Sequence, residues 1–303
     1  MVSMNRITPE KRARVVACLV EGNSIRATVR ITGVAKNTVT KLLVDLGTVC
    51  SIYQDRVLRN LTCERVQVDE IWSFVYAKQK NVPEEKRDEA GDVWTWVAID
   101  ADTKLVPAYL VGSRDMQDAY SFVHDLAKRL ANRVQLTSDG HRPYLSAVSD
   151  AFNGEIDYAV LQKIYGNPSG HASGRYSPVP CIGANRQVVT GSPDPDHIST
   201  SYIERQNLTM RMSMRRFTRL TNGFSKKVEN LAAAVSLHFM HYNFCRVHKT
   251  LGTTPAVAAG VTDHVWTVAE IIALLEIAEA TPIKRGSYTK TRERRAAERG
   301  DSA

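Results

Sequence analysis

Three acidic residues stand where acids are costly: Asp69, Asp139 and Glu204. Asp69 interrupts Val66-Gln67-Val68-Asp69-Glu70-Ile71-Trp72-Ser73-Phe74-Val75, a β-branched and aromatic run that reads as a strand. An acid inside such a run is expensive to bury. Asp139 follows a second short strand, Val134 to Thr137, in Ser138-Asp139-Gly140, which presents a side chain at the rim of a sheet. Glu204 falls in the first turn of a helix. Carboxylates from two strands and one helix can form a hard-cation site, because oxygen ligands suit Mg²⁺, with Mn²⁺ able to substitute. Two such ions about 4 Å apart can activate a water or a 3′-hydroxyl and stabilise the leaving oxygen of a phosphodiester. Each acid also has a plainer role open to it. Asp139 suits a turn, Glu204 suits a helix N-terminus, and Glu70 competes with Asp69 as the working member of its pair.

The stretch after Glu204 strengthens the phosphodiester reading. From Arg205 to Val228 there are basic residues and no acidic one: Arg205, Arg211, Arg215, Arg216, Arg219, Lys226 and Lys227. Two helices are expected, Thr200 to Leu220 and Lys226 to Phe244. On the first, Arg211 lies two turns beyond Glu204 on the same face, while Ile203, Met210, Met214 and Phe217 form the opposite, apolar face. Arg205, Arg211, Arg215 and Arg216 are the candidate DNA-phosphate contacts there.

These groups need elements to hold them. Residues 1–50 read as three short helices. Thr8 caps the first, Ser24 caps the second, and the third runs from about Ala35 to Leu46, where Gly47 ends it. Helix, glycine turn, helix is a helix-turn-helix outline, and Lys36, Asn37, Thr40 and Lys41 face outward as candidate DNA contacts. Residues 51–62 read as a linker. Residues 63–250 form the core. Within it Val93 to Ile99 and Leu105 to Val111 read as strands, the latter bent or at an edge because of Pro107. Asp115 to Leu130 reads as a helix. Residues 166–198, rich in proline and glycine, are expected as an irregular insertion. Residues 251–303 comprise a C-terminal helix and a basic tail. Strands first, then alternating helices and strands, describe an α/β mixed sheet flanked by helices.

Composition agrees. Lys and Arg number 40 against 32 Asp and Glu, a formal charge of +8 that favours polyanionic partners. The five cysteines are scattered and contain no C-x-x-C pair, which argues against a disulfide framework or a structural zinc site. No apolar leader or membrane-length run occurs, so a soluble cytoplasmic protein, nucleoid-associated through DNA, is expected.

VDEIWSFV, LTSDGHRPYL and SYIERQNLTMRMSMRRFTRLTNGFSKKVEN closely resemble the three carboxylate motifs of bacterial insertion-sequence transposases, the insertion-sequence-one group above all. HYNFCRVHKTLGTTPA, residues 241 to 256, is similar to a tail shared by many such transposases and integrase-like enzymes. The resemblance implies a ribonuclease-H-like core and an Asp-Asp-Glu active site at Asp69, Asp139 and Glu204, with Arg211 at the basic position after the glutamate. It also implies Mg²⁺ dependence and a double-stranded DNA substrate carrying inverted-repeat ends, cleaved and joined by a homo-oligomer on the DNA. Two features depart from the group: there is no cysteine-rich zinc segment before the helix-turn-helix, and the interval from Asp139 to Glu204 is long. A ribonuclease-H-like nuclease or resolvase, or a non-catalytic helix-turn-helix regulator, are the rival readings.

Overall fold

The computed structural model describes residues 7–166, 181–218 and 222–280. The chain opens with α1 (Pro9–Val20), α2 (Ile25–Thr32) and α3 (Lys36–Val57). Then come β1 (Arg65–Val75), β2 (Gly91–Asp100), β3 (Tyr109–Gly112), α4 (Met116–Ala127), β4 (Gln135–Ser138) and α5 (Pro143–Phe152). They are followed by β5 (Asp157–Tyr165), β6 (Cys181–Thr190), α6 (Ser201–Ser213), α7 (Val228–Phe244), α8 (Pro255–Ala258) and α9 (Val268–Ala280). The strands form one sheet in the order β3-β2-β1-β4-β5-β6. β1, β4 and β5 run parallel, while β2, β3 and β6 pair antiparallel to their neighbours.

Alternation along the strands sorts the helices to two faces. Gln67 and Asp69 of β1 bond residues of α6, and Tyr109, in register with Val97 and through it with Asp69, packs its ring 4.9 Å from that of Phe239 in α7. The other face carries Trp96, which lies opposite Glu70 and packs against Phe122 of α4 and Tyr144 of α5. This is the α/β, ribonuclease-H-like mixed sheet flanked by helices that the resemblance implied.

The elements depart from the sequence reading in four places. α3 does not stop at Gly47; it continues to Val57, across the 1–50 boundary and into the segment expected as a linker. Gly47 keeps helical geometry and serves close approach: a Cβ placed on it would lie 2.4–2.6 Å from atoms of Ala233 in α7. Nor is 166–198 wholly irregular. β6 lies inside it, exposed over nearly its whole length, and residues 167–180 lie outside the described residues. Third, the strand around Pro107 shortens to Tyr109–Gly112, since proline has no N–H to give a ladder. Fourth, α6 ends at Ser213 rather than Leu220. Met214 turns extended (φ −132°, ψ 111°), and the 3₁₀ turn Arg215–Phe217 carries Phe217 into the core. Arg219 and the basic tail lie outside the described residues.

The N-terminal helices share the hydrophobic core of the sheet. Gln54 of α3 donates through its amide to the carbonyl of Ser236 in α7 (3.2 Å), and Arg12 of α1 pairs with Glu276 and Glu279 of α9. The α3–α7 crossing gives a test. Alanine has the better helix propensity by about 1 kcal/mol, but overpacking a close contact costs about 1–3 kcal/mol. Gly47→Ala therefore lowers the midpoint of urea unfolding. An unchanged or raised midpoint would mean that the helices are not in contact at Gly47.

Candidate metal centre and its cleft

β4 stops at Ser138, in register with Val68, so β1 continues past it with one edge open at Asp69 and Glu70. Asp139 leaves the end of β4 into that gap. Its Oδ1 accepts from the amide of His141 (2.9 Å), which fixes the turn that holds it there. As in other open sheets with parallel strands, the crevice lies beyond the carboxyl ends of those strands.

β1 also positions α6. Thr200 precedes the helix without capping it, and Gln67 does so instead: its Oε1 accepts from the amides of Tyr202 (2.9 Å) and Ile203 (3.1 Å). Two residues on, Asp69 Oδ2 accepts from Asn207 Nδ2 (2.8 Å). The helix is thus held at two points by one face of one strand, and Glu204 is brought to the cleft between them. Glu204, Asn207 and Arg211 share a helical face at i, i+3 and i+7. All three line a cleft of about 940 Å³ with Asp69, Glu70, Asp139, Arg114, His141, Arg142 and Lys163.

The acids do not all meet. Ligand atoms of Asp69, Glu70 and Asp139 lie within 4.8 Å of one another. Glu204 is engaged elsewhere: Oε2 accepts from Lys163 Nζ (2.5 Å) and Oε1 from Thr200 Oγ1 (2.6 Å). Burial and the charge of Asp139, with a further push from Glu204, raise the Asp69 carboxyl to about 6, against the Glu70 amide and Asn207, which lower it. Burial and Asp139 raise Glu70 to about 8, while Arg114, whose Nη2 lies 3.4 Å from Glu70 Oε2, pulls the other way. Burial and Arg114 hold His141 below the ordinary histidine range. An all-oxygen donor set of crowded carboxylates fits a hard divalent cation such as Mg²⁺ or Mn²⁺.

The three expected acids and Arg211 therefore open onto one cleft. The other expected arginines are not among its lining residues. Arg205 is exposed, and Arg215 and Arg216 line a separate small cavity with Leu19, Gly22, Leu43 and His238. The break at Met214 is what takes them off the Glu204 face. Arg216 donates through Nε to Ser225 Oγ (2.8 Å), and its burial pushes the guanidinium down to about 10. At the start of α3, Lys36 and Asn37 are exposed and Thr40 is half-buried; Lys41 is exposed and ion-paired with Asp45. Asn207, Lys163, Arg114 and His141 went unnoticed in the sequence. Asn207 was findable from its spacing to Glu204, but Lys163 and Arg114 come from other elements, with no spacing to announce them.

No family model matches this sequence, and no curated protein sequence matches it. Among solved structures it is similar to a chain in a cryo-EM structure of the piggyBac transposase synaptic complex with hairpin DNA. The two are 10% identical with a TM-score of 0.37, over 94% of this chain and 76% of that one. It is also similar to a chain of the Mos1 strand transfer complex (14% identical, TM-score 0.22, 79% of this chain and 80% of that one). A third is a pre-cleavage Mos1 transpososome (12%, TM-score 0.24, 80% of each chain). Likeness at this level carries no functional argument.

Crowded carboxylates tie stability to pH. Asp69 and Glu70 are raised in the folded state from ordinary values of 3.8 and 4.5 to about 6 and about 8. Between roughly pH 4 and 8 the folded metal-free protein thus holds more protons at these two groups than the unfolded chain, so their contribution to stability falls as pH rises. The double variant Asp69→Asn, Glu70→Gln removes that loss. Its Tm advantage over the parent, measured without divalent metal, grows from pH 4 to pH 8. An advantage that stays constant with pH contradicts the raised carboxyls.

Proposed function

We propose that this chain is a DNA transposase of the Asp-Asp-Glu type, which cleaves and joins strands at the inverted-repeat ends of an insertion sequence. The observation that carries the reading is that Asp69, Asp139 and Glu204, from β1, the end of β4 and α6, open onto one cleft with Arg211 on the Glu204 face. Mg²⁺, with Mn²⁺ able to substitute, would be held by these carboxylates; when bound it supplies activation of the attacking hydroxyl and stabilisation of the leaving oxygen.

The chain's own residues do the rest. Asn207 donates to Asp69 Oδ2 and the Glu70 amide donates to Oδ1, so the carboxylate is fixed in place within reach of Asp139. Gln67 holds the start of α6 and fixes where Glu204 enters. Arg211, Arg142 and Arg114 are the groups in the cleft suited to phosphate, by charge and by the planar fork that matches two phosphate oxygens. Their contribution is orientation of the scissile link against the carboxylates. Lys36, Asn37, Thr40 and Lys41 at the start of α3 are assigned to duplex contact, with Arg205, Arg215 and Arg216 as further phosphate contacts outside the cleft. The working form is a homo-oligomer on double-stranded DNA, in a cytoplasmic, nucleoid-associated protein.

The test uses a plasmid carrying the gene with its flanking DNA. Asp69→Ala, Asp139→Ala and Glu204→Ala each reduce Mg²⁺-dependent cleavage at the ends by more than a hundredfold and leave DNA binding within about threefold, because affinity comes from basic groups. A variant with both Lys36 and Lys41 changed to alanine shows the reverse, losing binding and its dependence on salt. Cleavage within tenfold of the parent in any carboxylate variant removes that residue from the centre. Hydrolysis at the ends without joining of a 3′-end to target DNA replaces the transposase reading with that of a nuclease or resolvase.

A further inference from the structure

Glu70 is the acid in the cleft to which the Asp-Asp-Glu reading gives no work. Its side chain is 1% exposed, yet Oε1 has no hydrogen-bond partner, with His141 Nε2 no closer than 3.9 Å, and Oε2 has Arg114 at 3.4 Å. A buried charged carboxylate with an unfilled oxygen is costly unless a cation fills it. Its environment gives a second, independent sign. Tyr144 on α5 is wholly buried, and its hydroxyl, too, has no hydrogen-bond partner. That phenol is held well above the ordinary tyrosine range, by burial first and then by the charges of Glu70, Asp69 and Asp139, and its side chain approaches that of Glu70. A tyrosine hydroxyl kept dry beside three carboxylates is placed to donate to a carboxylate that a metal has oriented.

Glu204, by contrast, has both oxygens committed, to Lys163 and Thr200. The three carboxylates that do converge, within 4.8 Å, are Asp69, Glu70 and Asp139. We propose that the DNA-free protein binds one divalent hard cation through Asp69, Glu70 and Asp139, with Tyr144 supporting Glu70, and that Glu204 is no ligand of that ion. Lys163 holds Glu204 in reserve. A DNA phosphate entering the cleft competes for the ammonium of Lys163 and frees Glu204 for a second ion. Metal binding then precedes DNA, and the full set of ligands forms only on substrate. This deepens the proposed function in that it rests on the cleft being a metal centre, but it does not depend on which DNA reaction follows.

The experiment is Mn²⁺ binding to the full, DNA-free chain, followed by the loss of the free-ion electron paramagnetic resonance signal and by titration calorimetry. The parent binds one ion. Asp139→Asn and Glu70→Gln each weaken binding at least tenfold, whereas Glu204→Gln changes it less than twofold. Glu70→Asp, which keeps the charge but draws the oxygens back, weakens it by an intermediate factor and serves if Glu70→Gln fails to fold. Tyr144→Phe removes only the hydroxyl and weakens binding a few-fold. Lys163→Gln, by releasing Glu204, tightens binding or adds a second site. A loss in Glu204→Gln equal to that in Asp139→Asn, with Glu70→Gln unchanged, overturns the assignment of Glu70 while leaving the metal centre standing. No Mn²⁺ bound by the parent, or none lost in Asp139→Asn, overturns the metal centre itself, and with it the proposed function.

Discussion

Like charges share a half-buried cleft in this molecule, and much of the surrounding structure serves to hold them there. Asp69, Glu70 and Asp139 lie within 4.8 Å of one another, with Glu204 on the same cleft. Without a counter-ion their repulsion and desolvation work against folding, and both raise the carboxyls of Asp69 and Glu70. A fold keeps such an arrangement only if the rest of the core over-determines it. Here the rest of the core does so from both sides of one strand.

On one face of β1, Gln67 and Asp69 bond α6 at two successive points, so helix and strand cannot slide without breaking both. On the other face Glu70 lies against Trp96, whose indole N–H donates to the carbonyl of Ser113 (2.9 Å) and whose ring packs 5.4 Å from that of Tyr144 and 5.7 Å from that of His141. The early end of β4 opens the gap between the two faces. α7, which packs on the Asp69 face, is backed by α3 through the bare backbone of Gly47. A helix whose first residues carry the candidate DNA-contacting side chains therefore also buttresses the Asp69 face of the sheet. Expected as a separate reader on a linker, it is continuous with the core instead.

Much of this was legible in the sequence. The β-branched run around Asp69, the Ser-Asp-Gly exit of β4 and the acid at the start of α6 each carry a local signature, and they mark the three elements that bear the candidate acids. What was not legible depends on contacts between distant residues. Gly47 looks like a helix end because nothing local announces Ala233 beside it. The helix break at Met214 has no proline or glycine to mark it; burial of Phe217 decides it. β6 hides among turn residues because an exposed edge strand carries no apolar alternation. Lys163 reaches Glu204 from β5 across the sequence, so its part in the cleft emerges only with the strand order.

In the proposed function these carboxylates hold hard cations against a DNA phosphate. The decisive experiment incubates the full chain with a supercoiled plasmid bearing the gene and its flanking DNA, and follows strand breakage as MgCl₂ is titrated in and then removed by EDTA. The expected result is no breakage without metal, breakage at the element ends that saturates with Mg²⁺ and is also supported by Mn²⁺, and its arrest by EDTA. Breakage at those ends that proceeds undiminished in EDTA would contradict it.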